Sequence, residues 1–459
     1  MDSSSDNSAL NEILNYLRNI DDRVSKIEER INIQPSTVES TEPVIQESQV
    51  EIKKDNEGLE ERIGQFWLPR IGIVVFIVGF AFFLILPHEG LPAILPSLLG
   101  YFFTAVLFGL SKYWGNSLPL LSGYLISSGF VSLYLSSMRL YFFGFEKAID
   151  SFTVIIILLL IVTAINLVTA FRKNSANLAG LGITLGFVTA ILSDSSYFIF
   201  SIIALLSIVV VLFKLKSKTN FILFYGITLA YLTHLIWFIS NPFMGHSLQT
   251  VSDPEINLVF ILVYVLIFSF AYLISGKDEQ DDFVSASTSM YNSGAGYGLL
   301  VLITLLTSPS VFSLYHFVAA LTFLAIGIAY WIKKENKYST FFYAMTGYAA
   351  LSIAIIGQFD KPDYFIWLCW QSLFVVSTAV WFRSRFIIVA NFIIYLMMFF
   401  GYLIVAEPAG GISLSFGIVA LISARILNWK KDQLELKTEQ MRNAYLLSAL
   451  FIIPYALYQ

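Results

Sequence analysis

The chain has 459 residues, of which 57% are hydrophobic, 16% are aromatic and only 13% are charged. Charged residues make up about a quarter of an ordinary soluble domain, so this composition excludes a water-soluble globular fold. The formal net charge of −4 excludes a strongly basic surface, and we expect no nucleic acid partner. The single cysteine excludes an intramolecular disulfide and a cysteine-rich metal site.

The first predicted element is a short cytoplasmic coiled coil in residues 1–33. Its apolar residues alternate three and four positions apart, which is the heptad pattern of a helix with one apolar seam. They are Leu10, Ile13, Leu17, Ile20, Val24, Ile27 and Ile31. Isoleucine at every d position favours a parallel homo-oligomer of three or four strands over a dimer. The alternative is a single amphipathic helix on the membrane or on another protein, although its polar face mixes acids with bases.

Residues 34–60 are predicted to form a disordered acidic tether. The stretch is rich in Gln, Pro, Ser, Thr and Glu and has few large apolar residues. A flexible chain of this length spans about 30 Å. The coil can therefore sit away from the bilayer and bind a cytoplasmic protein partner.

Residues 61–459 are predicted to form one all-α transmembrane domain. Apolar runs of about 20 residues, the length at which a helix crosses the hydrocarbon core, recur from Phe66 to Tyr458. About fifteen such runs can be drawn, at 66–86, 92–113, 117–143, 151–171, 175–192, 196–214, 219–240, 254–274, 283–307, 311–332, 338–358, 363–382, 384–405, 412–428 and 441–458. The predicted fold is a polytopic membrane protein of about fifteen helices, with the lipid bilayer as its main partner.

Lysine and arginine concentrate in every second gap between these runs. They follow the even-numbered runs, beginning with Lys112, whereas the other gaps hold only Lys147 and Lys361, with Arg139 at the end of the third run. Because cytoplasmic loops retain Lys and Arg, the alternation predicts a cytoplasmic N-terminus. An odd number of spans then places Gln459 on the outer side of the membrane.

Ionisable side chains are scarce inside the predicted spans, where each costs about 2.5–3.5 kcal/mol. The clear cases are Arg425, which we interpret as reaching the interface, and His234. A histidine hydrogen-bonded between helices and a proton-relay or ligand residue are both compatible with His234. The predicted outer loops are rich in acidic residues. These acids could attract cations, or they could reflect only the retention of basic residues on the cytoplasmic side.

The candidate polar or acidic site residues are His234, Asp194, Asp360, Asp363, Glu407 and Gln371. His88 next to Glu89 and His246 near Asp253 could join a metal site, but two histidines on different loops are a weak signal for one. We predict no metal, no cofactor and no catalytic residue.

Small and amide side chains recur at helix-packing intervals, where they allow helices to approach closely or to bond across the interface in lipid. They include Gly182, Gly186, Ser285, Ser289, Ser293, Asn166, Asn292 and Asn391. The sequence GAGYG at 294–298 superficially resembles a potassium-channel filter, but it lies in the middle of a long span rather than in a re-entrant loop. Close helix packing explains these glycines better.

Three groups of residues resemble one known family. They are GQFWLPRIG at 64–72 with GFAFFL at 79–84, the Gly-rich span from Ser122 to Tyr141, and GQFD at 357–360 followed by Trp367, Trp370 and Gln371. The resemblance is to the bacterial membrane protein family catalogued as domain of unknown function 2339, and it would cover most of residues 1–405. Gln371 stands where that family commonly has an acid. The resemblance implies a bacterial inner-membrane location and no established activity.

Three functions are compatible with the sequence. The first is transport or channel-like handling of a small or envelope-related substrate, which discontinuous helices at Pro92, Pro96 or Pro454 would support. The second is a non-catalytic oligomeric scaffold or sensor that recruits a cytoplasmic partner. The third is a membrane-embedded transferase, although the common enzyme motifs are lacking and enzymatic activity is uncertain.

Overall fold

The computed structural model describes residues 68–86, 90–143, 146–251, 253–275, 282–307, 311–334, 336–405, 413–429 and 438–458. The predicted coil and tether lie outside these residues, so the seven coil positions stay predictions. Glu407 also lies outside them.

Within the described residues the chain forms fifteen α-helices and no β-strand. They are α1 Leu68–Ile85, α2 Leu95–Tyr113, α3 Pro119–Arg139, α4 Phe152–Lys173, α5 Ala176–Ser193, α6 Ser196–Ser217, α7 Asn220–Phe238, α8 Asn257–Leu273, α9 Asp282–Thr307, α10 Phe312–Lys334, α11 Lys337–Gln358, α12 Asp363–Trp381, α13 Arg385–Val405, α14 Ser415–Trp429 and α15 Thr438–Tyr458. Each helix coincides with one predicted apolar run, to within about four residues at either end.

Eleven of the helices are long and apolar enough to cross a membrane. Three shorter apolar segments are Val74–Ile85 in α1, Asn257–Leu273 and Ser415–Trp429. The remaining helix, α15, begins with the polar sequence TEQMRN. The described residues therefore belong to an all-helical, multi-pass membrane protein.

Two-residue turns reverse the chain between α4, α5, α6 and α7. The first residue of each turn, Asn174, Asp194 or Lys218, has a left-handed φ of 49°, 50° or 57° and ends the preceding helix. The second residue is a Ser or Thr with extended backbone, which is the preferred start of the next helix. Consecutive helices are therefore antiparallel.

Most of the helices from α1 to α11 pack as two rows. Among the described residues, substantial contacts join only helices that are one or two places apart in the sequence. The odd-numbered helices from α1 to α11 contact one another in series, and α6, α8 and α10 do the same on the other side. Because consecutive helices are antiparallel, the two rows run in opposite directions.

Besides two small clusters around α3, α4 and α5, the described helices form two large apolar cores. The first extends from Phe130 in α3 to Ala350 in α11, and the second from Leu324 in α10 to Ile452 in α15. Their boundary runs through α10 and α11, which contribute residues to both cores.

Basic side chains gather at one end of the helices. The last turns of α2, α4, α6 and α10 all contain Lys or Arg, and we call this side of the array the basic face. Some of these lysines bind the carbonyl ends of neighbouring helices. Lys214 Nζ donates to Ala271 O at 3.2 Å and to Ser275 Oγ at 2.7 Å, and Lys216 Nζ donates to Phe171 O. Cations stabilise helix C-termini, so part of the charge pattern that predicts topology also stabilises the fold.

Candidate functional site

Helix α9 carries hydrogen-bonding side chains along its whole buried side. They are Ser285, Ser289, Asn292, Ser293, Tyr297 and Thr304, none more than 9% exposed, and we call them the α9 polar face. Residues three, four and seven positions apart share one side of a helix. From Ser285 to Thr304 the helix rises about 28 Å, close to the thickness of the hydrocarbon core.

At the basic face the α9 polar face is joined to the start of α11. Ser285 Oγ lies 3.1 Å from Ser339 Oγ and accepts a hydrogen bond from Asn336 Nδ2 at 3.3 Å. Asn336 Oδ1 in turn accepts from the Ser339 N–H at 2.9 Å and caps α11. The cap therefore fixes the position of the Asn336 amide that reaches Ser285.

In the middle of the array Asn292 connects four helices. Its Nδ2 donates to Val265 O in α8 at 2.9 Å and to Tyr343 Oη in α11 at 3.1 Å. Its Oδ1 accepts from Tyr231 Oη in α7 at 2.8 Å. A Cβ at Gly296 would lie 2.8 Å from that same tyrosine oxygen, so glycine is needed where Tyr231 crosses α9.

A buried histidine completes the polar face at its other end. Tyr297 Oη lies 3.0 Å from His316 Nδ1, and Thr304 Oγ1 lies 3.1 Å from His316 Nε2. His316 is fully buried, and both of its ring nitrogens have a partner. Sequence reasoning overlooked His316, although the run 311–332 contains it as an ionisable side chain within a predicted span.

His234 lies beside this network, in α7, and is held mainly by aromatic rings. It is fully buried and stacks on Phe200 at a centroid distance of 4.9 Å, with Trp237 at 5.3 Å and Tyr264 at 5.9 Å. Neither ring nitrogen has a hydrogen-bond partner of normal geometry, although the Asn257 side chain is close enough to interact with the ring. Burial among aromatic rings, with Asn257 of α8 beside the imidazole, positions His234.

Asp194 links the loop that follows α7 to the end of α5. Its Oδ1 accepts from Asn241 Nδ2 at 2.7 Å, and its Oδ2 lies 2.6 Å from His246 Nε2. His246 therefore contacts Asp194 rather than Asp253. Among the described residues, no group of three or more His, Cys, Asp or Glu side chains could hold a metal ion.

The other candidates lie apart from α9. Asp360 and Asp363 are exposed near the start of α12. Gln371 is buried within α12, where its Nε2 donates to Tyr348 O at 2.9 Å and contacts Ser352 Oγ at 3.0 Å. It lines a small cavity of about 130 Å³ between α11, α12 and α13. The structure thus distributes the predicted site residues over several helices and assembles a different set around α9.

No protein-family model matches the chain, and neither a curated protein nor a solved structure matches it. The resemblance to the family described above stays a prediction.

Proposed function

We propose that this protein is a carrier for a small, uncharged polar solute that moves along the α9 polar face. The observation that supports the proposal is the run of buried hydrogen-bonding side chains from Ser285 to Thr304 on one helix. Polar groups at membrane depth are costly, and in membrane proteins they commonly mark a substrate path. Hydroxyl, amide and imidazole groups at successive levels can exchange hydrogen bonds with such a solute.

The chemistry of the polar face favours an uncharged solute. Between Ser285 and Thr304 the sequence contains no Asp, Glu, Lys or Arg. The partners of this face in the neighbouring helices include Tyr231, Tyr343 and His316. An ion at this depth would leave water without gaining an opposite charge, which is strongly unfavourable.

The packing favours a carrier over an open pore. The polar face is covered by α7, α8, α10 and α11, so the path is closed in this structure. The helices are continuous, since Pro96 lies in the first turn of α2 and α15 continues past Pro454. Access to one side and then the other would therefore require whole helices to shift, rather than broken helices to hinge.

The second candidate, a non-catalytic scaffold, makes the opposite prediction for the same residues. In a scaffold the polar groups serve only to bond helices together, and the interior stays closed. The two functions therefore differ in whether a small polar reagent ever reaches the α9 polar face.

Cysteine reactivity in proteoliposomes tests this difference. We expect Ser289→Cys, in a Cys369→Ala background, to react with the small uncharged reagent 2-hydroxyethyl methanethiosulfonate. Ser289 is 1% exposed, so reaction requires the polar face to open. The expected rate is at least about tenfold above that of the control, which corresponds to about 1.4 kcal/mol in the barrier.

The matched control is Ser207→Cys in the same background. Ser207 is a fully buried serine in α6 that bonds only its own helix, at Ile203 O. The unmodified protein is a second control, because its own Cys369 is fully buried in the second core. Equal, slow labelling of all three thiols, followed by full labelling in denaturant, would refute the carrier and favour the scaffold.

We also propose that all fifteen helices cross a bacterial inner membrane with the basic face toward the cytoplasm. The support is the basic last turns of α2, α4, α6 and α10, which meet the positive-inside rule on one side of the array. In this orientation Ser285 marks the cytoplasmic end of the polar face.

A further inference from the structure

A cavity of about 450 Å³ opens on the basic face where α10, α11 and α12 meet. Its walls are Trp331, Ile332, Lys337, Trp381 and Arg383. The cavity lies at the boundary between the two apolar cores, and it shares no residue with the α9 polar face. All three helices are among those long and apolar enough to cross a membrane.

The two indoles of this cavity are fixed by one buried ring. Phe382, only 3% exposed, meets Trp331 edge to face at a centroid distance of 5.9 Å and stacks on Trp381 at 5.4 Å. Both tryptophans are therefore held in place by packing. Tryptophan is enriched at the level of lipid headgroups, where its ring is apolar and its N–H can meet water.

Two cations face this cavity, and neither has a partner among the residues that the structure describes. Lys337 is the first residue of α11, and Arg383 lies in the turn after α12, with a left-handed φ of 51°. Both side chains are exposed, and neither has a hydrogen bond or ion pair to any residue that the structure describes. The N-terminus of the 22-residue helix α11 adds a partial positive charge beside them. This combination attracts an anion, and a phosphate group matches Lys and Arg particularly well.

Apolar surface continues from the cations toward the lipid. Ile332 is 65% exposed, Tyr338 62% and Trp381 47%. A soluble phosphate would use the cations alone, whereas a phospholipid would use both the cations and this apolar wall. We propose that the cavity binds the phosphate of an anionic phospholipid, with an acyl chain over Ile332 and Trp381. The proposal is independent of transport and requires only that α10, α11 and α12 cross the membrane.

Native mass spectrometry of the detergent-purified full-length protein, titrated with phosphatidylglycerol or chain-matched phosphatidylcholine, tests the proposal. We expect the unmodified protein to prefer phosphatidylglycerol. The double substitution Lys337→Gln/Arg383→Gln is expected to weaken phosphatidylglycerol binding roughly thirtyfold, because each basic side chain beside an anionic lipid contributes roughly fivefold. Lys337→Arg/Arg383→Lys should retain the preference.

The control is Arg172→Gln/Lys173→Gln, which removes two exposed cations from the basic face at the end of α4. It should leave phosphatidylglycerol binding within about twofold, since general attraction of the face falls off within the Debye length. Equal weakening by both double substitutions, or no weakening by Lys337→Gln/Arg383→Gln, would refute a specific site. Displacement of the lipid by millimolar inorganic phosphate would assign the cavity to a soluble anion instead. Far-ultraviolet circular dichroism of each variant separates these outcomes from misfolding.

Discussion

Asn292 illustrates how a polar side chain is accommodated in the middle of this protein. Its amide bonds groups in α7, α8 and α11, so no part of it faces lipid unpaired. Most buried Ser and Thr hydroxyls instead bond a carbonyl of their own helix, as Ser207 does with Ile203 O. The first type of bond joins helices, whereas the second leaves the packing of helices unaffected.

Asn292→Leu should lower the free energy of unfolding by about 2 kcal/mol. An interhelical hydrogen bond in a membrane protein contributes about 0.6 kcal/mol on average, and three are lost. Leucine also leaves the hydroxyls of Tyr231 and Tyr343 without this partner in a dry interior. The measurement is reversible unfolding in mixed micelles with increasing sodium dodecyl sulfate.

The control for Asn292→Leu is Ser293→Ala, one residue along the same helix. Ser293 is 2% exposed and bonds only Met290 O within α9. Its loss should cost less than about 0.5 kcal/mol, because hydroxyl bonds inside a helix contribute little to helix association. Equal losses for the two substitutions would show that the four-helix connection at Asn292 is not the source of the stability.

Single residues of the site were only partly predictable from the sequence. An asparagine within a span signals a bond across helices, and Asn292 confirms that interpretation. Tyr231 and Tyr343 gave no such signal, because an isolated tyrosine in an apolar run looks like any other aromatic core residue. Their hydroxyls become part of the site only through contacts between helices far apart in the sequence.

At the scale of the elements, the helices were predictable and their contacts were not. Continuous apolar runs separated by short polar turns predict each helix, and the structure has a helix at every one. Glycines at packing intervals predict close approach but do not identify the neighbour. Gly226 in α7, for example, lies against Val210 in α6.

Gly226→Ala should destabilise the pairing of α6 and α7 by about 1–3 kcal/mol, the usual cost of overpacking. A Cβ at this position would lie 2.5 Å and 2.6 Å from the two Cγ atoms of Val210 and 3.1 Å from its Cβ. A β-branched side chain inside a helix has little rotamer freedom, so it cannot move aside. The same unfolding measurement in mixed micelles detects the loss.

Gly180→Ala in α5 is the matched control. The atoms nearest to a Cβ there, in Ile222 and Tyr225, are 3.8 Å and 3.9 Å away, which is ordinary contact. This substitution should stabilise α5 by up to about 1 kcal/mol, because alanine favours a helix more than glycine does. Adding Val210→Ala to Gly226→Ala should cost less than the sum of the two single changes, and strict additivity would contradict the clash.

At the scale of the whole molecule, the two-row arrangement could not be derived from the sequence. The same fifteen apolar runs are compatible with a ring around a pore, because apolar composition does not say which helices are neighbours. The short turns require consecutive helices to pair, yet the contacts between α5 and α7 or between α8 and α10 depend on side-chain fit. Contacts of α9 with α7 and α11 help to close the α9 polar face, and this closure is the reason for proposing a carrier rather than a pore.

The last helix decides where the chain ends relative to the membrane. Although α15 starts with polar residues, Tyr445, Ala449 and Ile452 are 0%, 1% and 3% exposed and lie on one side of it, within the second core. They pack α15 along α14, an apolar helix of 15 residues. Two antiparallel helices in contact along their length span the same depth, so α15 should cross the membrane back to the outer side.

A pair of topology reporters tests this crossing. Alkaline phosphatase, which is active only outside the cytoplasm, should be active when fused after Gln459 and inactive when fused after Trp429, at the end of α14. Green fluorescent protein, which fluoresces when it folds in the cytoplasm, should give the opposite pattern at the two positions. The same reporter signal at both positions would show that α15 does not cross the membrane. The chain would then cross the membrane an even number of times, and Gln459 would lie on the basic face. Alkaline phosphatase activity of the Trp429 fusion alone would show that the orientation derived from the basic last turns is reversed. The proposed phospholipid cavity would then lie in the outer leaflet.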